Sequence, residues 1–139
     1  MNAVDTNVPV YSSDHDEPVK QTKALDLLDQ LVQQPVETIL LWQVAGEYLS
    51  CLRKWQLRGK ITFAEVDQYV HRTLAMFPLY TSSRSSLNIS LNLSASYSLS
   101  HWDSMLLAAC IEAGVNTLFT EDLDEGTTYD SVTIINPFA

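Results

Sequence analysis

A chain of 139 residues with 46% hydrophobic content has the material for one folded core, which excludes a disordered polymer. Seventeen acidic residues against eight basic ones leave a formal charge of −9, which argues against a surface that coats nucleic acid broadly. That charge does not exclude a nuclease, because a metal site needs acids and the bound ion inverts the local field.

No run reaches transmembrane length, and no charged-then-apolar leader precedes Asp5. The expectation is one cytoplasmic domain over residues 1–139 that does not engage a membrane. Every basic residue lies between Lys20 and Arg84, with Arg53, Lys54, Arg58 and Lys60 in a tight group. Cys51 and Cys110 sit in apolar, helix-like contexts outside any metal-spacing motif, so both read as small buried hydrophobes.

Ala3-Val4 reads as the end of a short first strand, and Asp5-Thr6-Asn7 as its exit turn. Residues 8–19 are expected to form a loop or short turn. Ala24, Leu27, Leu28 and Leu31 predict a helix from Lys20 to Gln33, ended by Pro35. Residues 37–41 predict a buried strand. Val44, Tyr48, Cys51 and Trp55 make one stripe of a helix from Gln43 to Leu57, and Glu47 borders that stripe instead of opposing it. Thr62 and Glu65 form a capping box that opens a helix to Met76. Pro78 stops it, and Leu79-Tyr80 reads as a short extended piece. From Ser86 to Ser100, leucine and isoleucine alternate with serine and asparagine. That period favours a strand, yet it is longer than most strands, and Leu87, Leu91 and Ala95 also fit a helix. Ser100 predicts the N-cap of a helix over 101–113, with Asp103 at its third position and Gly114 just past its end. Val115 to Phe119 is then a buried strand, with Thr120-Glu121-Asp122 at its exit. Gly126 marks a turn, and Val132 to Ile135 predicts a last strand.

This order predicts an α/β sandwich with a mostly parallel sheet of four or five strands. Sites in such folds gather at the carboxyl ends of the strands. Asp5 and Asp122 stand at strand exits, while Glu47 and Asp103 border or begin helices packed near them. Each has an ordinary structural reading: a turn cap for Asp5, a water-seeking stripe edge for Glu47, and a complement to the helix N-terminus for Asp103. Together they point to a divalent ion, because converging carboxylates repel one another unless a cation relieves them. Carboxylate and water are hard oxygen ligands suited to Mg²⁺ or Mn²⁺, and His15, His71 and His101 are too scattered to make a zinc site.

The stretches Asp5-Thr6-Asn7-Val8, Gln43-Val44-Ala45-Gly46-Glu47-Tyr48, Trp102-Asp103-Ser104 and Thr120-Glu121-Asp122-Leu123, with the closing Asn136-Pro137-Phe138, resemble the PIN-domain family. The resemblance is strongest to the VapC-like toxin ribonucleases of type II toxin–antitoxin pairs. It implies a three-layer α/β/α sandwich, a helix over 86–100, and a metal-dependent endoribonuclease using Mg²⁺ or Mn²⁺. It also implies that Asp5, Glu47, Asp103 and Asp122 form the catalytic, metal-binding quartet, with Thr6, Asn7 and Thr120 as supporting polar residues. Asp5 and Asp103 would be direct ligands; Glu47 and Asp122 would act directly or through water. Glu121 and Asp124 flank Asp122, and either could share its role. The family commonly forms homodimers and is inhibited by an antitoxin that inserts a segment near the active cleft. Arg53 and Lys54, on the turns after Glu47, are candidates for holding substrate phosphate, against the plainer reading of a solvated helix face. One alternative is a PIN-fold interaction protein without catalysis, against which the intact quartet argues. Another is a haloacid-dehalogenase-like phosphatase. It would need an acid two residues after Asp5 and a downstream lysine; Asn7 fills that position and no lysine follows Lys60.

Overall fold

The computed structural model describes residues 1–139. Its sheet is built outward from β1 (Asn2–Val4), a short run buried on every residue. Such a strand needs parallel neighbours on both sides to satisfy its backbone. It has them in β2 (Thr38–Leu41), where Ala3 lies opposite Ile39, and in β4 (Thr117–Phe119), where Val4 lies opposite Phe119. Outside these, β3 (Leu79–Tyr80) pairs parallel with β2, and β6 (Val132–Ile135) pairs parallel with β4. The antiparallel strand β5 (Thr128–Tyr129) closes the far edge, giving six strands in the order β3-β2-β1-β4-β6-β5. This corrects the expected four or five. The unexpected strand is β5, two residues in a polar stretch, too short to show a period. Asp130, with φ at 52°, turns the chain tightly from β5 into β6, a backbone region that aspartate tolerates better than most residues.

The helices follow the predicted pattern with three departures. The start of the 8–19 segment, expected as a loop or short turn, forms with Asn7 the helix α1 (Asn7–Ser12). Pro9 falls in its first turn, where no helical N–H bond is forfeited. α2 (Pro18–Gln33) starts two residues earlier than predicted, again with proline in the first turn. α3 (Trp42–Leu57) springs from β2 with no linker. α4 (Phe63–Met76) opens on the predicted capping box, with both reciprocal Thr62–Glu65 bonds made. The third departure is α5 (Ser85–Ser96), shorter than the predicted 86–100 and helical despite its strand-like alternation. Its buried residues are Ser86, Ser90 and Leu93, a helical stripe made mostly of serine. Small side chains let it lie close against α6 (His101–Ala113), where the Ser94 and Ser104 hydroxyls pair at 2.9 Å. Leu87 and Leu91, which carried the alternation, are exposed. α6 itself is capped as predicted by Ser100 and ends at Gly114, whose φ of 82° favours glycine.

α5 gains a start signal from outside its own sequence. Glu112 on α6 accepts from the Ser83 backbone N–H and from the Ser83, Ser85 and Ser86 hydroxyls. Those bonds pull its carboxyl down to about 2. Glu112→Ala is expected to destabilise the fold by about 1–2 kcal/mol, the scale of a lost helix cap. The contribution is present above the ordinary glutamate range and fades as pH falls toward 2. Urea denaturation of both proteins at pH 7 and pH 2.5 checks it: the gap in midpoint should narrow at the lower pH.

Helices cover both faces of the sheet, so the architecture is a three-layer α/β/α sandwich with a mixed, mostly parallel sheet. α5 packs on α6, which reaches β6; α3 lies on β2 and against α4; α1 sits between α2 and α3. The main core joins Val4, Leu41, Leu107, Leu118 and Ile134 from sheet and helices. A smaller cluster of Tyr48, Leu52, Trp55, Ile61, Val66 and Tyr69 fixes α3 to α4. Gly46, within α3, has nothing within 4 Å of where a Cβ would stand. Gly46→Ala is therefore expected to raise stability by about 0.5–1 kcal/mol through helix propensity, read as a higher thermal midpoint. No helix is long and apolar enough to cross a membrane.

Candidate active site

From β1 the chain runs to β2 on one side and later returns through β4 on the other. That reversal opens a crevice at the carboxyl ends of β1 and β4. The backbone carries the alignment one residue further. Asp5 N–H donates to the Phe119 carbonyl at 2.9 Å, and Thr120 N–H to the Ile135 carbonyl at 3.0 Å. Asp5 and Thr120 therefore leave adjacent strands side by side.

Thr120 is fully buried and links several groups. Its hydroxyl donates to Asp5 Oδ2 at 2.7 Å and accepts from the Asp122 backbone N–H at 3.0 Å and Asn7 Nδ2 at 3.4 Å. Asn7 Nδ2 also donates to Asp122 Oδ2 at 3.2 Å. The Thr6 backbone N–H donates to Asp5 Oδ1 at 2.6 Å, and the Thr6 hydroxyl to Glu47 Oε2 at 3.2 Å. Gln43, one turn before Glu47 on α3, donates to Glu47 Oε1 at 2.8 Å and to the Trp102 carbonyl at 3.3 Å. One polar network thus runs from Asp122 through Asn7, Thr120 and Asp5 to Thr6 and Glu47, and on to the start of α6.

The network is short of positive charge. Burial pushes the Asp5 carboxyl up to about 6; the bonds from Thr120 and Thr6 pull it down, and the Asp122 and Glu47 carboxylates push it further up. No lysine, arginine or histidine forms an ion pair with Asp5, Glu47, Asp103 or Asp122. Asn7 Oδ1 is buried with no hydrogen-bond partner. A buried carboxylate near two others, with an idle amide oxygen beside it, is an all-oxygen donor set of the kind hard divalent cations take.

Of the residues predicted from sequence, Asp5, Glu47 and Asp122 come together with Thr6, Asn7 and Thr120. Asp103 starts α6, its N–H bonded to Ser100, and its carboxylate shares no hydrogen bond with the other three acids. No group of three or more His, Cys, Asp or Glu side chains stands close enough to hold a metal ion by itself. Glu121 points elsewhere: it accepts from the Tyr11 hydroxyl at 2.6 Å and pairs with Lys20 at 3.1 Å. Asp124 makes no side-chain bond into the network, so Asp122 is the acid from this segment that joins it. Arg53 and Lys54 part company. Arg53 lines a groove with Phe63, Asp67 and His71 between α3 and α4, whereas Lys54 lies two helical turns beyond Glu47 on the same face. Cys110 is wholly buried, which pushes its thiol up and keeps it inert. Gln43 is the network residue that sequence reasoning missed; its spacing of four from Glu47 on a helix was the available signal.

No family model matches the sequence, and no curated protein matches it. Solved structures do share its fold. A toxin–antitoxin complex from Klebsiella pneumoniae matches with a TM-score of 0.70 at 17% identity, over 99% of this chain and 98% of that one. VapBC2 from Rickettsia felis, bound to a DNA fragment from their promoter, matches with a TM-score of 0.74 at 15% identity, over 97% of both chains. VapC20 of Mycobacterium tuberculosis, a toxin that cleaves the sarcin–ricin loop, matches with a TM-score of 0.63 at 11% identity, over 85% of this chain and 87% of that one. The fold is therefore shared with proteins of these toxin–antitoxin systems, at identities that carry the backbone and not the chemistry.

Proposed function

We propose that the chain is a metal-dependent endoribonuclease of the PIN-domain, VapC-like kind, the toxin of a toxin–antitoxin pair. The observation that carries this reading is Asp5: buried, unpaired by any cation, and facing two further carboxylates at the topological switch point of the sheet. A group in that setting is unfavourable on its own and becomes favourable when a cation arrives.

In this reading Asp5 is the principal metal ligand, held rigid by the Thr6 N–H and the Thr120 hydroxyl. Asp122, oriented by Asn7, and Glu47, oriented by Thr6 and Gln43, complete the site directly or through water. Asp103 joins from the start of α6. Mg²⁺ and Mn²⁺ suit such a site, since Mg²⁺ keeps several waters and is commonly held by one or two carboxylates plus substrate phosphate oxygens. When bound, the ion supplies an activated water and offsets the charge that develops on the phosphodiester during in-line attack. An antitoxin that covers this edge, a homodimer and a cytoplasmic single-domain protein belong to the same reading. The spacing of the four acids favours one other reading, a PIN-fold interaction protein without catalysis.

The two readings separate in one experiment. The purified protein is incubated with total RNA in Mn²⁺, in Mg²⁺ and in chelator, and its thermal midpoint is measured in each. The nuclease reading expects divalent-dependent cleavage and a midpoint raised by the ion. Intact RNA in all three, with an unmoved midpoint, leaves the interaction protein.

A further inference from the structure

The segment that carries Asp122 has little of its own to hold it. Residues 121–125 belong to no helix or strand, and none of their backbone N–H groups donates to a backbone carbonyl. Four of these five residues are acidic, so the run repels itself. Leu123 packs against the main core on one side of Asp122, and Glu121 is held on the other. Glu121 Oε1 accepts from the Tyr11 hydroxyl at 2.6 Å and Oε2 from Lys20 Nζ at 3.1 Å, while Lys20 Nζ also donates to the Tyr11 hydroxyl oxygen at 3.0 Å. The three groups close a triangle, and Lys20 is the one cation paired with any acid of the run. The Tyr11 ring is itself fixed, edge-on to Phe138 with centroids 4.9 Å apart. Tyr11 stands four residues after Asn7 on α1, hence on the same face one turn along. That face grips the segment twice, through Asn7 Nδ2 on Asp122 Oδ2 and through the Tyr11 hydroxyl on Glu121.

We infer that Tyr11 and Lys20 are positioning residues for Asp122: by clamping Glu121 they fix the neighbouring carboxylate beside Asn7 and Thr120 and keep a competing acid turned away from the ion. The inference rests on the nuclease reading and adds to it residues that touch neither metal nor substrate. Two adjacent acids at a strand exit are equal candidates for a hard cation, and the triangle decides between them. Both oxygens of Glu121 are engaged and its charge is paired. Asp122 is exposed, and its carboxylate is oriented by a single bond from Asn7. An ion that takes such a carboxylate has to order it, and ordering already completed by the fold leaves more of the interaction as affinity. Groups that orient a ligand without touching the metal are commonly worth about 10–100-fold in metal affinity.

The test measures Mn²⁺ binding to the full chain without RNA, from the spin-resonance signal of the free ion, beside the thermal midpoint in chelator. Tyr11→Phe deletes one oxygen and keeps the ring against Phe138. It should weaken Mn²⁺ binding about tenfold, with little change of midpoint in chelator. Asp122→Asn should also weaken binding, and adding Tyr11→Phe to it should cause no further loss. Glu121→Gln, which keeps an oxygen for the Tyr11 hydroxyl, should bind Mn²⁺ more tightly than Glu121→Ala. Lys20→Met should weaken binding, although bulk electrostatics predicts the opposite sign because the chain becomes more negative. Unchanged affinity in Tyr11→Phe overturns the inference; a lowered midpoint beside it assigns the triangle to holding the C-terminal segment. Equal weakening with and without the Asp122 carboxylate, or tighter binding in Lys20→Met, overturns it as well. Cleavage of RNA in Mn²⁺, and its loss in Asp5→Asn, judges the nuclease reading separately: a parent protein that cleaves while Tyr11→Phe binds Mn²⁺ normally loses the clamp alone, and a parent that binds no Mn²⁺ loses both.

Discussion

Asp5→Asn is expected to give a protein that is more stable at pH 7 and inactive. The sign follows from where the proton sits. The folded carboxyl titrates at about 6 and the unfolded one near 3.8, so between those values the folded state holds the extra proton. Stability therefore falls as pH rises from about 4 to about 6 and stays lower above it. A shift of that size corresponds to about 3 kcal/mol at neutral pH. Asparagine removes the charge, and part of the gain is lost because its Nδ2 must face one of two groups, the Thr6 N–H and the Thr120 hydroxyl, that now donate to a carboxylate. A net stabilisation of about 1–2 kcal/mol at pH 7, absent at pH 4, is the expected result by urea denaturation. Divalent-dependent RNA cleavage should drop about 100-fold or more, and the rise in thermal midpoint on adding Mn²⁺ should disappear. A variant that is less stable at pH 7 and still cleaves RNA would reduce Asp5 to a turn cap.

Thr120→Val should damage the fold while leaving every acid in place. Valine matches the shape and deletes the hydroxyl at the centre of the network. Asp5 Oδ2, the Asp122 N–H and Asn7 Nδ2 each lose a partner within a fully buried position. The expected loss is about 2–4 kcal/mol, a fall in thermal midpoint of roughly 10 °C. The variant also carries a signature that simple destabilisation lacks. The Thr120 bond is the foremost influence holding the Asp5 carboxyl down against burial, so its removal drives that group above 6. The proton then competes with the metal over a wider range, and the acid limb of the cleavage profile moves to higher pH. Thr120→Ser, which keeps the hydroxyl, should restore the limb. An unmoved acid limb alongside the lower midpoint would make Thr120 a packing residue only.

What could be read from the sequence was mostly what repeats. The stripes of α2, α3 and α4, the capping box at Thr62 and the cap at Ser100 follow from spacing alone. β1, β2, β4 and β6 follow from short apolar runs between turn signals. Elements held by distant partners were hidden. α5 has the local period of a strand because its buried stripe is serine and its cap is a glutamate on the next helix, and the expectation of a helix there comes from the family resemblance. α1 and β5 are too short to show a period. The same division holds at the site. Asp5 and Asp122 are visible as acids at strand exits. That Glu121 faces Tyr11 and Lys20, that Gln43 reaches Glu47, and that Arg53 turns into another groove are outcomes of packing.

The position of β1 between β2 and β4 has a bearing on synthesis. Asp5 and Thr120 are 115 residues apart, and the bond between them requires β4 to dock beside β1. Until the ribosome has released most of the chain, β1 has only β2 to pair with, and the crevice has one wall. The acidic network is therefore incomplete until β4 brings Thr120 and Asp122 beside Asp5. On the proposed ribonuclease reading, that order would keep the nascent chain inactive until β4 has docked.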